Sequence, residues 1–113
     1  MSECIFCKII NKEVPATVID ETDDILVIKD IAPKAPVHYL IIPKLHIINI
    51  KDLKDTPEHN QLLLNMYKMV RKLSDNLDGS KDFNLMSNNG ADAGQIVFHM
   101  HWHFLSGKNL FKH

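Results

Sequence analysis

Residues 96–105 read Ile96-Val97-Phe98-His99-Met100-His101-Trp102-His103-Phe104-Leu105. Histidines and large apolar residues alternate from Phe98 to Phe104, which is the period of a strand and not of a helix. Side chains at i, i+2 and i+4 of a strand point the same way, about 6.6 Å apart per pair. His99, His101 and His103 should therefore line one face. Phe98, Met100, Trp102 and Phe104 should line the other, the face that a helix would cover. The imidazoles are then expected on the open side of a sheet.

Working outward, the polar, glycine-bearing stretch 89–95 (NGADAGQ) precedes this strand, and 83–88 (FNLMSN) reads as another. Before them, Thr56-Pro57 supplies a cap residue and a proline suited to the first helical turn. Leu62, Met66, Met69, Val70, Leu73 and Leu77 then recur at three- and four-residue spacing, giving a long helix with one apolar face, which Gly79 is expected to stop. The methionines on that face read as ordinary gap-filling core. Residues 37–42 (VHYLII) form a strand ended by Pro43. The segment Ala32-Pro33-Lys34-Ala35-Pro36 is irregular, because two prolines remove donors and restrict their predecessors. Residues 16–21 and 25–30 are β-rich runs joined by Thr22-Asp23-Asp24, a hairpin signal. Residues 3–12 suggest a short helix ended by Val14-Pro15. The fold class expected is α+β: about five mostly antiparallel strands, one long helix and a short N-terminal helix. With 113 residues and no repeat, low-complexity tract or linker, residues 1–113 are expected to form one domain.

Composition narrows the function classes. The chain is 45% hydrophobic and 24% charged, with a formal net charge of -1 and a pI near 6.6. That balance excludes a basic nucleic-acid groove and a polybasic membrane patch, though a small anion could still bind through local hydrogen bonds. No apolar run approaches the ~20 residues of a membrane helix, and charges interrupt the apolar N-terminal stretch, which makes a poor secretory signal. The cytoplasm is the expected compartment. In a reducing cytosol the two cysteines, Cys4 and Cys7, read as a redox pair or as half of a metal site.

Three imidazoles on one face are compatible with polar filler, with a shared metal ion, and with nucleophilic catalysis. A neutral imidazole suits attack on phosphorus: its free nitrogen is nucleophilic near neutral pH, and neighbouring groups can orient it and move protons. A zinc hydrolase would instead use the histidines as ligands to activate water.

The run His99-Met100-His101-Trp102-His103-Phe104-Leu105 fits the His-x-His-x-His-x-x pattern, x being hydrophobic, of the histidine triad superfamily. Asn88-Asn89-Gly90-Ala91-Asp92-Ala93-Gly94-Gln95 resembles the glycine-rich segment before the triad in the nucleotide-binding (Hint-like) branch. Asp30 to His38, Ile42 to Ile47, and Cys4 to Ile10 resemble its central and N-terminal segments, so the likeness spans nearly the whole chain. It implies a histidine triad fold and a hydrolase or transferase acting at the α-phosphorus of purine nucleoside phosphoramidates or related adenylates through a nucleotidyl-histidine. A dinucleoside polyphosphate hydrolase and a mainly non-catalytic nucleotide-binding or regulatory protein are the alternatives.

Residue by residue, the resemblance makes His101 the nucleophile, with His99 and His103 flanking the phosphate and His38 supporting the network. Asp30 matches the ribose-binding acid, although a strand-closing turn residue is its plain reading. Ile5, Phe6, Ile9, Ile28, Ile31 and Leu40 match positions that wall the base; each also reads as core when taken alone. Asn88, Gly94 and Gln95 belong to the phosphate loop, where glycine lets backbone N–H groups point at an anion and the amides could donate hydrogen bonds. The resemblance also implies a homodimer, a purine nucleotide (adenosine or guanosine monophosphate derivative) as partner, and a structural zinc held by Cys4, Cys7, His46 and His99, a standard tetrahedral set. One position departs from the pattern: Ile96 stands where relatives usually carry serine or threonine. The tail, Ser106 to His113, is short and polar and gives no further reading.

Overall fold

The long apolar stripe at 62–77 folds as expected. Helix α2 (Pro57–Asp75) starts on Thr56, whose hydroxyl accepts the His59 N–H, with Pro57 in the first turn. It buries Leu62, Met66, Met69, Val70 and Leu73. Its end differs from expectation. Asn76 is the capping residue, its N–H bonded to the carbonyls of Lys72 and Leu73. Gly79 lies further on, in a turn at φ +71°. Burial of Leu77 and capture of the Asp75 and Leu77 carbonyls by the Lys81 ammonium close the helix before the glycine is reached.

In this computed structural model, which describes residues 3–107, the remaining elements are α1 (Ile5–Ile10), β1 (Val18–Glu21), β2 (Ile25–Lys29), β3 (Val37–Pro43), β4 (Phe83–Ser87) and β5 (Trp102–Ser106). The tail positions 108–113 lie outside the described residues. The five strands form one sheet in the order β1-β2-β3-β5-β4, every neighbouring pair antiparallel. The α+β expectation holds, with two short 3-10 turns added at Ile50–Asp52 and Ala91–Ala93.

The sheet has two apolar faces. Ile25, Val27, Ile41, Trp102 and Phe104 pack with the α2 stripe. Leu26, Ile28, Leu40 and Ile42 point the other way and meet Phe6, Ile9 and Ile10 of α1. β2 and the second half of β3 are thus buried on both sides, which explains the apolar runs at residues 25–28 and 40–42.

The histidine stretch departs from a single ten-residue strand. Pairing begins only at Trp102, opposite Ile41 on β3 and Ser87 on β4. Both partners run out there. β3 ends at Pro43, which has no N–H to give, and β4 gives way to the glycine loop at Asn88. Residues 96–101 peel from the sheet, and Met100 N–H bonds instead to the Ile47 carbonyl. Alternation of sides nevertheless survives from Met100 onward: Met100, Trp102 and Phe104 join the α2 core. It fails upstream, where Phe98 is 49% exposed instead of covered.

Candidate active site

Helix α1 sets one wall of the site. The Cys4 sulfur caps it by accepting the Cys7 N–H, and Lys12, at φ +66°, turns the chain away at its end. The helix stops at Ile10, well before Val14-Pro15. Its buried Phe6 meets the histidine segment edge-on, 4.9 Å from the His101 ring centre and 5.9 Å from that of His99. The histidine face is therefore not open: α1 roofs it, leaving His99 0% and His101 9% exposed.

Hydrogen bonds assign each imidazole its protons. A carbonyl only accepts, so His99 donates Nε2–H to the Pro43 carbonyl (2.7 Å) and keeps a bare Nδ1. His101 donates Nδ1–H to the His99 carbonyl (2.8 Å), which leaves its Nε2 lone pair free. His38 accepts the Lys34 N–H at Nδ1 (3.1 Å), so its proton sits on Nε2. That Nε2–H points at His103 Nδ1, 2.9 Å away, and Asp30 Oδ2 lies 3.4 Å from the same nitrogen. His103 in turn carries its proton on Nε2, with its ring centre 5.1 Å from that of His101. A bare imidazole nitrogen thus stands beside an imidazole N–H donor.

Burial keeps these rings neutral. It lowers the pKa of His99, His101 and His38 below the ordinary histidine value, against smaller opposing effects of the Pro43 carbonyl, the His99 carbonyl and Asp30 respectively. His103 falls furthest, to about 4, through burial first and then repulsion from His101 and His38.

The predicted substrate residues separate into groups. Phe6, Ile28 and Leu40 are buried in the cluster under α1, with Ile9 packed against it. Ile5 is exposed, and Ile31 is 100% exposed beside Asp30. Asp30 also closes a turn, its Oδ1 accepting the Ala32 N–H (2.8 Å), so the turn role and the contact with His38 coexist. In the glycine loop, Gly94 adopts the left-handed conformation at φ +91°. The Asn88 amide is partly spent on the Ala93 carbonyl (2.8 Å). Gln95 is buried and wholly committed: its Nε2 donates to the Ile48 and Val97 carbonyls, and its Oε1 accepts from Gly90 N–H and Asn49. It braces the loop and has no amide hydrogen left for a phosphate. Asn49, the Pro43 carbonyl and the Lys34 N–H carry this framework, yet no spacing in the sequence marks them.

A second group of donors lies behind His99. Its bare Nδ1 is 3.4 Å from Cys4 Sγ, 3.5 Å from Cys7 Sγ and 3.1 Å from His46 Nδ1, and Cys7 Sγ is 3.3 Å from His46 Nδ1. All four ligand atoms fall within 4.8 Å of one another. Tetrahedral zinc at about 2.3 Å from sulfur and 2.0 Å from nitrogen would separate S···N pairs by about 3.5 Å and N···N by about 3.3 Å. These four separations are already near tetrahedral values, and the group could bind a metal. Asp30, His38 and His103 also lie close together, but a metal on His38 Nε2 would push the proton to Nδ1, where the Lys34 N–H already points.

A family model described as "Scavenger mRNA decapping enzyme C-term binding" matches residues 3–112. An uncharacterized HIT-like protein of Synechocystis is 41% identical over 106 residues, 94% of this chain and 91% of its own length. The chain belongs to the histidine triad family. The purine nucleoside phosphoramidase of Escherichia coli K12 is 36% identical over 109 residues, 96% of this chain and 90% of that one. Among solved structures, a HIT family hydrolase from Clostridium thermocellum superposes with a TM-score of 0.87 at 44% identity, covering 95% of this chain and 92% of its own. The histidine triad membership agrees with the reading of residues 99–105, and the fold agrees with that of its solved relatives.

Proposed function

We propose that this histidine triad protein is a nucleotide-binding hydrolase that attacks the α-phosphorus of purine nucleoside phosphoramidates or related adenylates. The observation that carries the reading is the His101 Nδ1–H bond to the His99 carbonyl, which leaves Nε2 bare on a ring that burial keeps neutral. In the first step His101 Nε2 forms a bond to phosphorus as the bond to the leaving group breaks. The leaving group needs a proton, and His103 Nε2–H is the neighbouring donor; the water of the second step returns a proton to that same nitrogen, while His38 Nε2–H fixes the His103 tautomer from the other side. Water then displaces the imidazole and releases a nucleoside monophosphate. Asp30 would accept hydrogen bonds from the ribose hydroxyls, Ile5, Ile9 and Ile31 would contact the base, and backbone N–H groups near Gly94 would face the phosphate.

Cys4, Cys7, His46 and His99 would hold a structural zinc, whose chemistry is to crosslink α1 to the histidine segment. We further assign the protein to the cytoplasm, as a single domain over 1–113; no helix among the described residues is long and apolar enough to cross a membrane. A homodimer fits the exposed Leu64 and Tyr67 of α2 together with Phe83, Leu85 and Met86 of the edge strand β4.

The decisive experiment mixes the protein with an adenosine phosphoramidate, quenches in alkali, where a P–N bond to histidine survives, and weighs the protein. A nucleotidyl adduct mapping to His101 supports the reading; a metal-activated hydrolase or a pure binder forms none. Running the same assay with dinucleoside polyphosphates separates the phosphoramidase reading from its closest alternative.

A further inference from the structure

The cluster behind His99 contains two thiols three residues apart, and its chemistry extends beyond holding a metal. We propose that Cys4 and Cys7 are an oxidisable pair, converted by a hydroperoxide into a Cys4–Cys7 disulfide that dismantles the cluster and releases His101 from its fixed orientation. The proposal uses the metal and nucleophile readings above for its consequences; the oxidation itself rests on the positions of the two sulfurs.

Both sulfurs approach the same nitrogen, His99 Nδ1, at 3.4 and 3.5 Å, and they lie within 4.8 Å of each other. Residues i and i+3 at a helix start satisfy the Cα separation of roughly 4.4–6.8 Å that a disulfide requires, so side-chain rotation can bring the sulfurs to bonding distance. Access is available: both cysteines are only partly buried, and His46, which completes the group, is exposed.

The chemistry balances with the peroxide as oxidant. One thiolate sulfur attacks the peroxide oxygen, giving a sulfenic acid and an alcohol, or water from hydrogen peroxide. The second thiol attacks that sulfur and expels water. Two thiols are oxidised to one disulfide, and one peroxide is reduced.

The consequence reaches the active site by two routes. Closing the bond draws both sulfurs off His99 and His46, which a four-donor site cannot survive. The bridged segment is Cys4-Ile5-Phe6-Cys7, and Phe6 is the residue whose edge packs on the rings of both His99 and His101. His99 meanwhile supplies the carbonyl that fixes the His101 proton on Nδ1. Displacing Phe6 and His99 together frees the His101 ring, and misplacement of this kind costs about 100-fold in rate.

The test titrates the zinc-loaded full chain with hydrogen peroxide. Thiols, intact mass, zinc captured by a chromogenic chelator, acylation of His101 by diethyl pyrocarbonate, and turnover of an adenosine phosphoramidate are followed together. The expected result is a product about 2 Da lighter, with residues 4 and 7 crosslinked, zinc released in step, faster acylation of His101, and turnover reduced roughly 10- to 100-fold. Dithiothreitol with added zinc should restore all of these. A Cys7→His variant keeps four donors but one thiol, and should retain its zinc and its His101 reactivity under peroxide. Overoxidised single cysteines, damage that dithiothreitol does not reverse, or a disulfide that leaves His101 acylation unchanged would overturn the proposal. If the reduced protein turned over no nucleotide, the proposed function would fail, while the mass, zinc and acylation readings would still judge the thiol pair.

Discussion

The His99 carbonyl accepts the His101 Nδ1–H at 2.8 Å while the His99 ring turns away toward Cys4 and Cys7. One residue therefore belongs to two sites, its backbone orienting His101 and its side chain facing the thiols. The Pro43 carbonyl holds that ring in place through Nε2–H, at 2.7 Å. A change at His99 consequently differs in kind from a change at His101. Because the resemblance makes His101 the nucleophile, the sequence suggests that His99→Ala and His103→Ala are the milder substitutions unless they disturb folding.

His101→Ala should abolish turnover while nucleotide binding survives, because it removes the attacking nitrogen and little of the wall around it. His99→Ala should cost stability as well, about 1–3 kcal/mol from the orphaned Pro43 carbonyl alone, before loss of any bound metal. Thermal melts and single-turnover assays on both variants separate the two effects. An active His101→Ala enzyme would assign the chemistry to another group.

Protein purified without chelator should contain close to one zinc per chain, measured by atomic emission. Stripping it should lower the melting temperature, since the ligands tie α1 to the histidine segment and binding energy at such a site is folding energy. Metal-free protein that melts at the same temperature would remove the site from the structure's energetics.

The pH dependence follows from the direction of the shifts. His101 and His103 are held below the ordinary histidine value, His103 at about 4, so both are neutral at pH 7. Turnover should be flat down to about pH 6.5 and fall below it as the rings charge. Stability moves the same way. An unfolded His103 binds its proton near pH ~6.5 and the folded one only near 4, so the unfolded state holds more protons in between. This contribution is complete above ~6.5 and lost as pH falls to about 4. Half-loss of activity above pH 6.5 would contradict the assignment of neutral rings.

Sedimentation at micromolar concentration should give the mass of two chains. Leu64 and Tyr67 on α2 are exposed, as are Phe83, Leu85 and Met86 on the edge strand β4, and sheet edges invite pairing. Trp102, packed at 5.1 Å from Tyr67, has a buried indole N–H without an acceptor among the described residues. A monomer mass would reject the dimer, and Tyr67→Glu should yield that mass if α2 lies at the interface.

Much of this arrangement is legible in the sequence because its signals are local. The α2 stripe, the β1–β2 hairpin and the motif at 99–105 each follow from spacing within a few residues. The misreadings come from long-range causes. Strand β5 begins late because Pro43 and Ser87 end its neighbours, and α2 ends at Asp75, where Lys81 reaches back to the Asp75 carbonyl and to that of Leu77 just beyond. The roof over the histidines requires Phe6, near the start of the chain, to meet His99 and His101 near its end, and nothing local announces that. Gln95 looks like a phosphate donor until its four partners are seen.

Ile96 brings the last prediction. The plain expectation for an isoleucine two residues before Phe98 is that it packs in the core, yet it is 86% exposed while its neighbours Gln95 and Val97 turn inward. Its side chain therefore contributes little to folding, and Ile96→Ser should change stability by no more than about 0.5 kcal/mol. Relatives usually place a hydroxyl here, able to bond a phosphate oxygen or the leaving group. Gln95 cannot substitute, because both of its amide hydrogens go to the Ile48 and Val97 carbonyls. One hydrogen bond to a charged group is worth about 1.5–3 kcal/mol, which is roughly one to two powers of ten in rate. Ile96→Ser should accordingly raise kcat/KM on an adenosine phosphoramidate by about 10- to 100-fold at unchanged melting temperature. An equal or lower kcat/KM in a folded Ile96→Ser protein would show that the exposed isoleucine costs the enzyme nothing, and that another donor already meets the charge.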